Sequence, residues 1–199
     1  MKKITRAKAK FLLFLCVLLT TTISFGLAFA DIGNDIVSIA DKYDQKKQPD
    51  LFYSQQCKGF VRAVYMEALG VELPGTNDNN SEWDNYQKNG FTLVAEFLPE
   101  EVFRNRDSSQ YTKEYFFNQF TSYLSKGDAI QIDGESLPHT MIYVSTDTTN
   151  GKPSGLRVIE SNYVADHWVS YRNVSFDDLW NYMGGASSNG MRAYRYTGR

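Results

Sequence analysis

The chain has 199 residues, 21 Lys and Arg against 23 Asp and Glu, 15% aromatic side chains and two cysteines. That length suits one domain behind a short leader, and no internal repeat, low-complexity tract or Pro/Ser-rich linker divides it. With no basic patch, the composition argues against nucleic acid and anionic membrane surfaces as partners.

Residues 1–30 read as a secretory signal peptide. Lys2, Lys3, Arg6, Lys8 and Lys10 form a basic start, an apolar run follows from Phe11, and Ala28-Phe29-Ala30 supplies a small-x-small cleavage site before Asp31. Thr20, Thr21, Thr22 and Ser24 shorten the apolar core below the roughly 20 residues that a membrane span needs. The leader holds five of the 21 basic residues and no acidic one, so residues 31–199 carry 16 Lys and Arg against 23 Asp and Glu, a formal charge of −7. These residues are expected to form a single extracytoplasmic domain, in the cell wall or periplasm of a bacterium. No stable membrane association is expected after cleavage.

Within that domain, Ile32, Ile36, Ile39, Ala40 and Tyr43 have helical spacing and predict a helix packed on the domain. A second helix is predicted over residues 57–69, with Phe60, Val61, Val64, Tyr65, Ala68 and Leu69 on one stripe and Gly70 as its stop. Residues 76–81 form a polar, turn-rich loop before Trp83. Tyr115, Phe116, Phe120, Tyr123 and Leu124 predict a helix over 112–124. The period then changes to two, predicting strands over 129–132, 140–144, 156–160 and 191–196, with a hairpin-type connection over 147–155. Helices first and strands after argue for an α+β domain with an antiparallel sheet.

Cys16 leaves with the leader, so Cys57 stands alone in an oxidising compartment with no partner for an intramolecular disulfide. Its place at a helix N-terminus favours the thiolate, because unsatisfied N–H groups and the helix dipole stabilise negative charge there. A cysteine nucleophile needs a base. Two histidines are available: His139 opens a strand, where a sheet can hold it rigidly, whereas His167 lies in a turn-like stretch. The base in turn needs an orienting acceptor on its far nitrogen. Glu160 and Asn162 share one face of the strand after Val158, and either has the chemistry for it. No C-x-x-C or H-E-x-x-H spacing occurs, so no metal or other cofactor is expected.

Cys57 with Gly59-Phe60-Val61 behind it, then Gly127-Asp128-Ala129-Ile130, then His139 at a strand start, then Val158-Ile159-Glu160-Ser161-Asn162, resembles the NlpC/P60 and CHAP superfamily of papain-like cysteine peptidases and amidases. The Glu-x-Asn pair makes the CHAP branch the closer match, over residues 50–197. Two departures are Pro138, where the families carry Gly or Ser, and His-Thr-Met-Ile in place of His-Val-x-Ile. The chain also lacks a separate wall-binding repeat. The resemblance implies a papain-like fold, with N-terminal helices packed on a small antiparallel sheet. It implies Cys57 as nucleophile, His139 as base, and Glu160 with Asn162 as orienting groups. Gln55 or Gln56 would share an oxyanion hole with the Cys57 backbone N–H. The activity expected is that of a secreted, monomeric amidase or endopeptidase acting on peptidoglycan. The alternatives are a papain-like enzyme for another protein or peptide amide, and an inactive secreted binding protein on the same fold.

Overall fold

A computed structural model describes residues 31–47, 57–74, 83, 85–133, 138–161, 168–184 and 190–198. The leader with Cys16, both candidate oxyanion glutamines Gln55 and Gln56, Asn162 and His167 lie outside the described residues.

The first described helix, α1, covers residues 31–41. A two-residue strand β1 (Lys46–Lys47) and helix α2 (Cys57–Leu69) follow. A 3-10 turn (Tyr86–Asn89) leads into β2 (Phe91–Phe97), α3 (Pro99–Arg104) and α4 (Lys113–Ser122). Then come β3 (Ala129–Asp133), β4 (His139–Thr149), β5 (Lys152–Ser161), β6 (Trp168–Ser175), α5 (Phe176–Tyr182) and β7 (Gly190–Tyr196). The strands form one sheet in the order β1-β6-β5-β4-β3-β7-β2, with every pair antiparallel. The class is α+β, as the periodicity predicts.

Local chemistry explains the boundaries. Helix α2 ends where Gly70 adopts φ 69° and returns its N–H to the Met66 carbonyl, a glycine C-terminal cap that a side chain at Cβ would strain. Helix α4 starts at Thr112, whose hydroxyl accepts from the Tyr115 N–H, and α5 starts at Ser175, which accepts from the Asp178 N–H. The β4–β5 connection is tighter than the 147–155 span read from sequence. Both strands extend to a two-residue turn, Asn150-Gly151, with φ 52° and 74°, the positive values a type I′ hairpin needs.

The sheet has helices on both faces. On one face Ala129, Ile142, Ile159 and Tyr194 meet Ile36, Val37 and Ala40 of α1 and Phe60, Val61, Val64 and Tyr65 of α2. On the other, Ile130, Ile132, Met141, Val158 and Val174 meet Phe117 and Phe120 of α4 and Phe176 and Leu179 of α5. Phe117 stacks on Phe176 with ring centroids 4.2 Å apart, joining the two helices. Two-sided coverage explains why β3 is buried at every position.

Helix α1 docks by backbone. A Cβ on Gly33 would collide with the Lys126 carbonyl oxygen, and one on Gly127 would come 2.7 Å from the Gly33 Cα. Gly33→Ala should therefore lever α1 off the turn before β3. The expected cost is about 1–3 kcal/mol, as for other overpacked contacts, read as a lower midpoint in urea unfolding. An unchanged midpoint would show that α1 shifts without loss.

Three strands and two helices go beyond the elements read from sequence: β1, β2, β6, α3 and α5. The chain accordingly interleaves β2 and α3 among its early helices and places α5 between strands, instead of running helices first and strands after. Of these additions, β6 pairs with β5 alongside Glu160, and α5 covers the sheet face at the start of β4.

Candidate active site

Cys57 is the first residue of α2, with no acidic residue in the helix's first turn to offset the dipole. The helix packs on β4 and β5, which brings its N-terminus to the start of β4. There the thiol is hydrogen-bonded to His139 and to the backbone amides of Thr140 and Lys58. Cys57 is a free cysteine, buried at 8% exposure.

His139 opens β4, which pairs with β3 through Ile132. Side-chain alternation puts it on the same face as Met141, the face covered by α5. Its Nε2 lies 2.5 Å from Glu160 Oε2. With Nε2 so occupied, Nδ1 is the ring nitrogen left for the thiol, and Glu160 fixes that tautomer and orientation. The Tyr182 ring of α5 meets the imidazole edge-on, with centroids 6.0 Å apart.

Glu160 sits on the same face near the end of β5 and is 1% exposed. Its second oxygen, Oε1, accepts from Arg172 Nη1 of β6 at 2.5 Å. A carboxylate so deeply buried is tolerable only with both oxygens engaged by donors. Of the two orienting candidates, Glu160 makes the contact; Asn162 lies outside the described residues.

The charges of the pair reinforce each other. Burial pushes the Cys57 thiol up, but the hydrogen bond and positive charge of His139, with the two backbone amides, outweigh it and hold the thiol below its ordinary value. Burial likewise pushes the His139 imidazole down, yet its bonds and charge interactions with Cys57 and Glu160 lift it to about 9. Both shifts favour the thiolate–imidazolium form of the pair over the neutral one.

A buried polar cluster supports the thiol side. Gln131 of β3, 1% exposed, accepts at Oε1 from the Thr140 hydroxyl (2.8 Å) and from Trp83 Nε1 (3.1 Å), and donates from Nε2 to the Ile132 carbonyl (3.0 Å). Trp83 stacks on Tyr194 at 4.0 Å, and the buried Lys58 ammonium lies 5.4 Å from the Trp83 ring. Gln131 thus holds the residue whose amide faces Cys57.

Sequence reasoning missed Gln131, Trp83, Arg172 and Tyr182. The one legible signal was Gln131, a polar residue inside the apolar run Ala129-Ile130-Gln131-Ile132. Arg172 carried none, since its contact depends on the β5–β6 register. Among the described residues, no group of three or more His, Cys, Asp or Glu side chains is placed to hold a metal ion.

No family model matches the chain, and no curated protein matches it either. Among solved structures the chain is similar to Ly7917, determined with the hydrolysis product of MDP, with a TM-score of 0.47 and 12% identity. The match takes in 82% of this chain, which spans 63% of that chain's length.

Proposed function

We propose that this chain is a cysteine amidase or endopeptidase that hydrolyses amide bonds by acyl transfer to water. The observation that carries the reading is the Cys57–His139–Glu160 constellation, in which a depressed thiol meets a raised imidazole oriented by a buried carboxylate. A structural thiol would need none of these features, and burial alone would push it the opposite way.

Each step follows from a named group. The Cys57 thiolate attacks the amide carbonyl carbon, forming a C–S bond, while the electron pair of the C=O moves onto oxygen. Backbone N–H groups at the start of α2 face that oxyanion. As the tetrahedral adduct collapses, the C–N bond breaks and the leaving amine takes the proton from His139 Nδ1. The neutral imidazole then draws a proton from water, whose oxygen attacks the thioester. The carboxylic acid leaves and Cys57 returns to thiolate with His139 reprotonated. Throughout, Glu160 holds Nε2 and offsets the imidazolium charge.

The substrate proposed is peptidoglycan, at a peptide bond or at the amide joining sugar to peptide. This choice rests on the motif order that resembles the NlpC/P60 and CHAP families. Its expected location outside the cytoplasm rests on the leader-like residues 1–30. Incubating the protein with purified bacterial walls should release soluble fragments with new amine and carboxyl ends, and a thiol-blocking reagent should stop the release. Walls left intact under conditions where an unrelated peptide is cut would replace this substrate with another amide. A chain that cuts neither and alkylates no faster than a free thiol would be a binding protein.

A further inference from the structure

We propose that Arg172 is a positioning residue of this site, completing a four-member relay of Cys57, His139, Glu160 and Arg172 by holding the Glu160 carboxyl group in place and aimed at His139 Nε2. The inference rests on the cysteine mechanism proposed above and adds a residue that no motif identified.

The geometry begins with register. On β5 and β6, Glu160 pairs with Ser170 and Val158 pairs with Arg172, so Arg172 is the diagonal neighbour of Glu160 on the same face. Diagonal partners lie too far apart for short side chains but within reach of arginine. Its Nη1 donates to Oε1 while His139 takes Oε2, so one carboxylate is held from both ends. With each oxygen engaged, the carboxyl group cannot rotate without breaking a charge-assisted hydrogen bond. His139, Glu160, Arg172 and Tyr182 line the same small cavity under α5, which keeps the relay shielded.

Charge counting gives the arginine its task. A thiolate, an imidazolium and a carboxylate together carry one net negative charge in a site whose three members are all buried. The guanidinium of Arg172, partly buried on the far side of Glu160, brings the row to alternating signs and zero net charge. Without it, Oε1 loses its charged donor and the carboxyl group can turn away from Nε2, withdrawing its support from the imidazolium. The imidazolium that protonates the leaving amine would then be lost at lower pH. Arg172 touches neither substrate nor sulfur in this scheme and acts only through Glu160.

The test follows alkylation of Cys57 by iodoacetamide against pH, with the Cys57 peptide identified by mass. Arg172→Met should move the upper inflection from about 9 toward the free imidazole's 6.5 and slow alkylation near neutral pH about tenfold. Arg172→Gln keeps a hydrogen-bond donor without the charge and should shift the inflection the same way. Arg172→Lys should bring it back toward the native position. Circular dichroism and the thermal midpoint show whether each variant is folded. A purely structural arginine would lower the midpoint in all three variants and leave the inflection in place. That result in either folded neutral variant would overturn the inference. Alkylation needs no amide substrate, so the two proposals fail separately. Intact walls with a moved inflection sink the substrate assignment alone, and digested walls with a fixed inflection sink the role of Arg172 alone.

Discussion

Cys57→Ala is expected to lower amide hydrolysis by about 10⁴- to 10⁶-fold, and His139→Ala by a comparable factor, because nucleophile and base act as one unit. Alanine offers no nucleophile, so what remains is the contribution of substrate binding and of the N–H groups at the start of α2. Losing His139 removes both the charge that holds the thiol down and the proton for the leaving amine. The double variant should therefore be no worse than either single one, a non-additivity that independent residues would not show. Cys57→Ser retains shape and the hydrogen bond to His139, yet a hydroxyl does not ionise in this field as a thiol does, so it should remain nearly inactive. Hydrolysis by the native protein, on the proposed mechanism, should fall at low pH as the thiolate is protonated and at high pH as His139 passes through about 9. His139→Ala at wild-type activity, with fold intact by circular dichroism, would remove the imidazole from the mechanism.

Part of this site was legible because it depends on local signals. The stripe from Phe60 to Leu69 fixes α2, and with it the position of Cys57 at the first helical residue. Alternation in Ala129–Ile132 and Thr140–Val144 fixes β3 and β4, which puts His139 at a strand start. Glu160 follows from alternation along β5. Elements whose period is broken escaped. Strand β2 carries a register shift between Leu93 and Ala95, so its apolar residues leave the two-residue beat. Strand β6 gives no clear apolar pattern because it puts Ser170 and Arg172 on a buried face, where the pattern expects apolar side chains. It does so because Glu160 lies opposite, and a buried carboxylate requires polar neighbours. Helix α5 has only seven residues, two turns, too few to show a stripe. The residues that orient the Cys57–His139 pair were thus hidden by their own chemistry, since polar support in a core defeats patterns built on apolar spacing.

Glu160→Ala should be the most destabilising change at the site, with a loss of about 3–5 kcal/mol, because deleting one member of a buried ionic set takes a charged partner from each of its neighbours. Arg172 would lose its partner at Oε1 and His139 its partner at Oε2, both at a position 1% exposed. The sign with pH can be worked out from His139. Its folded value of about 9 exceeds the free 6.5, so the stability it contributes is complete below 6.5 and disappears as pH rises through about 9. Removing Glu160 removes part of that raise, and the gap in unfolding free energy between native and variant should narrow as pH climbs across this window. Glu160→Gln separates charge from shape. Its amide oxygen can still accept from Nε2, so the tautomer is kept while the imidazolium loses its counter-charge. Each unit by which the His139 value falls corresponds to about 1.4 kcal/mol, and a fall of one to two units leaves about 2- to 10-fold less imidazolium, and so about 2- to 10-fold less activity, near pH 8, with the basic limb displaced to lower pH. A Glu160→Gln enzyme with an unmoved limb would mean that Cys57, and not the carboxylate, sustains the charge on His139.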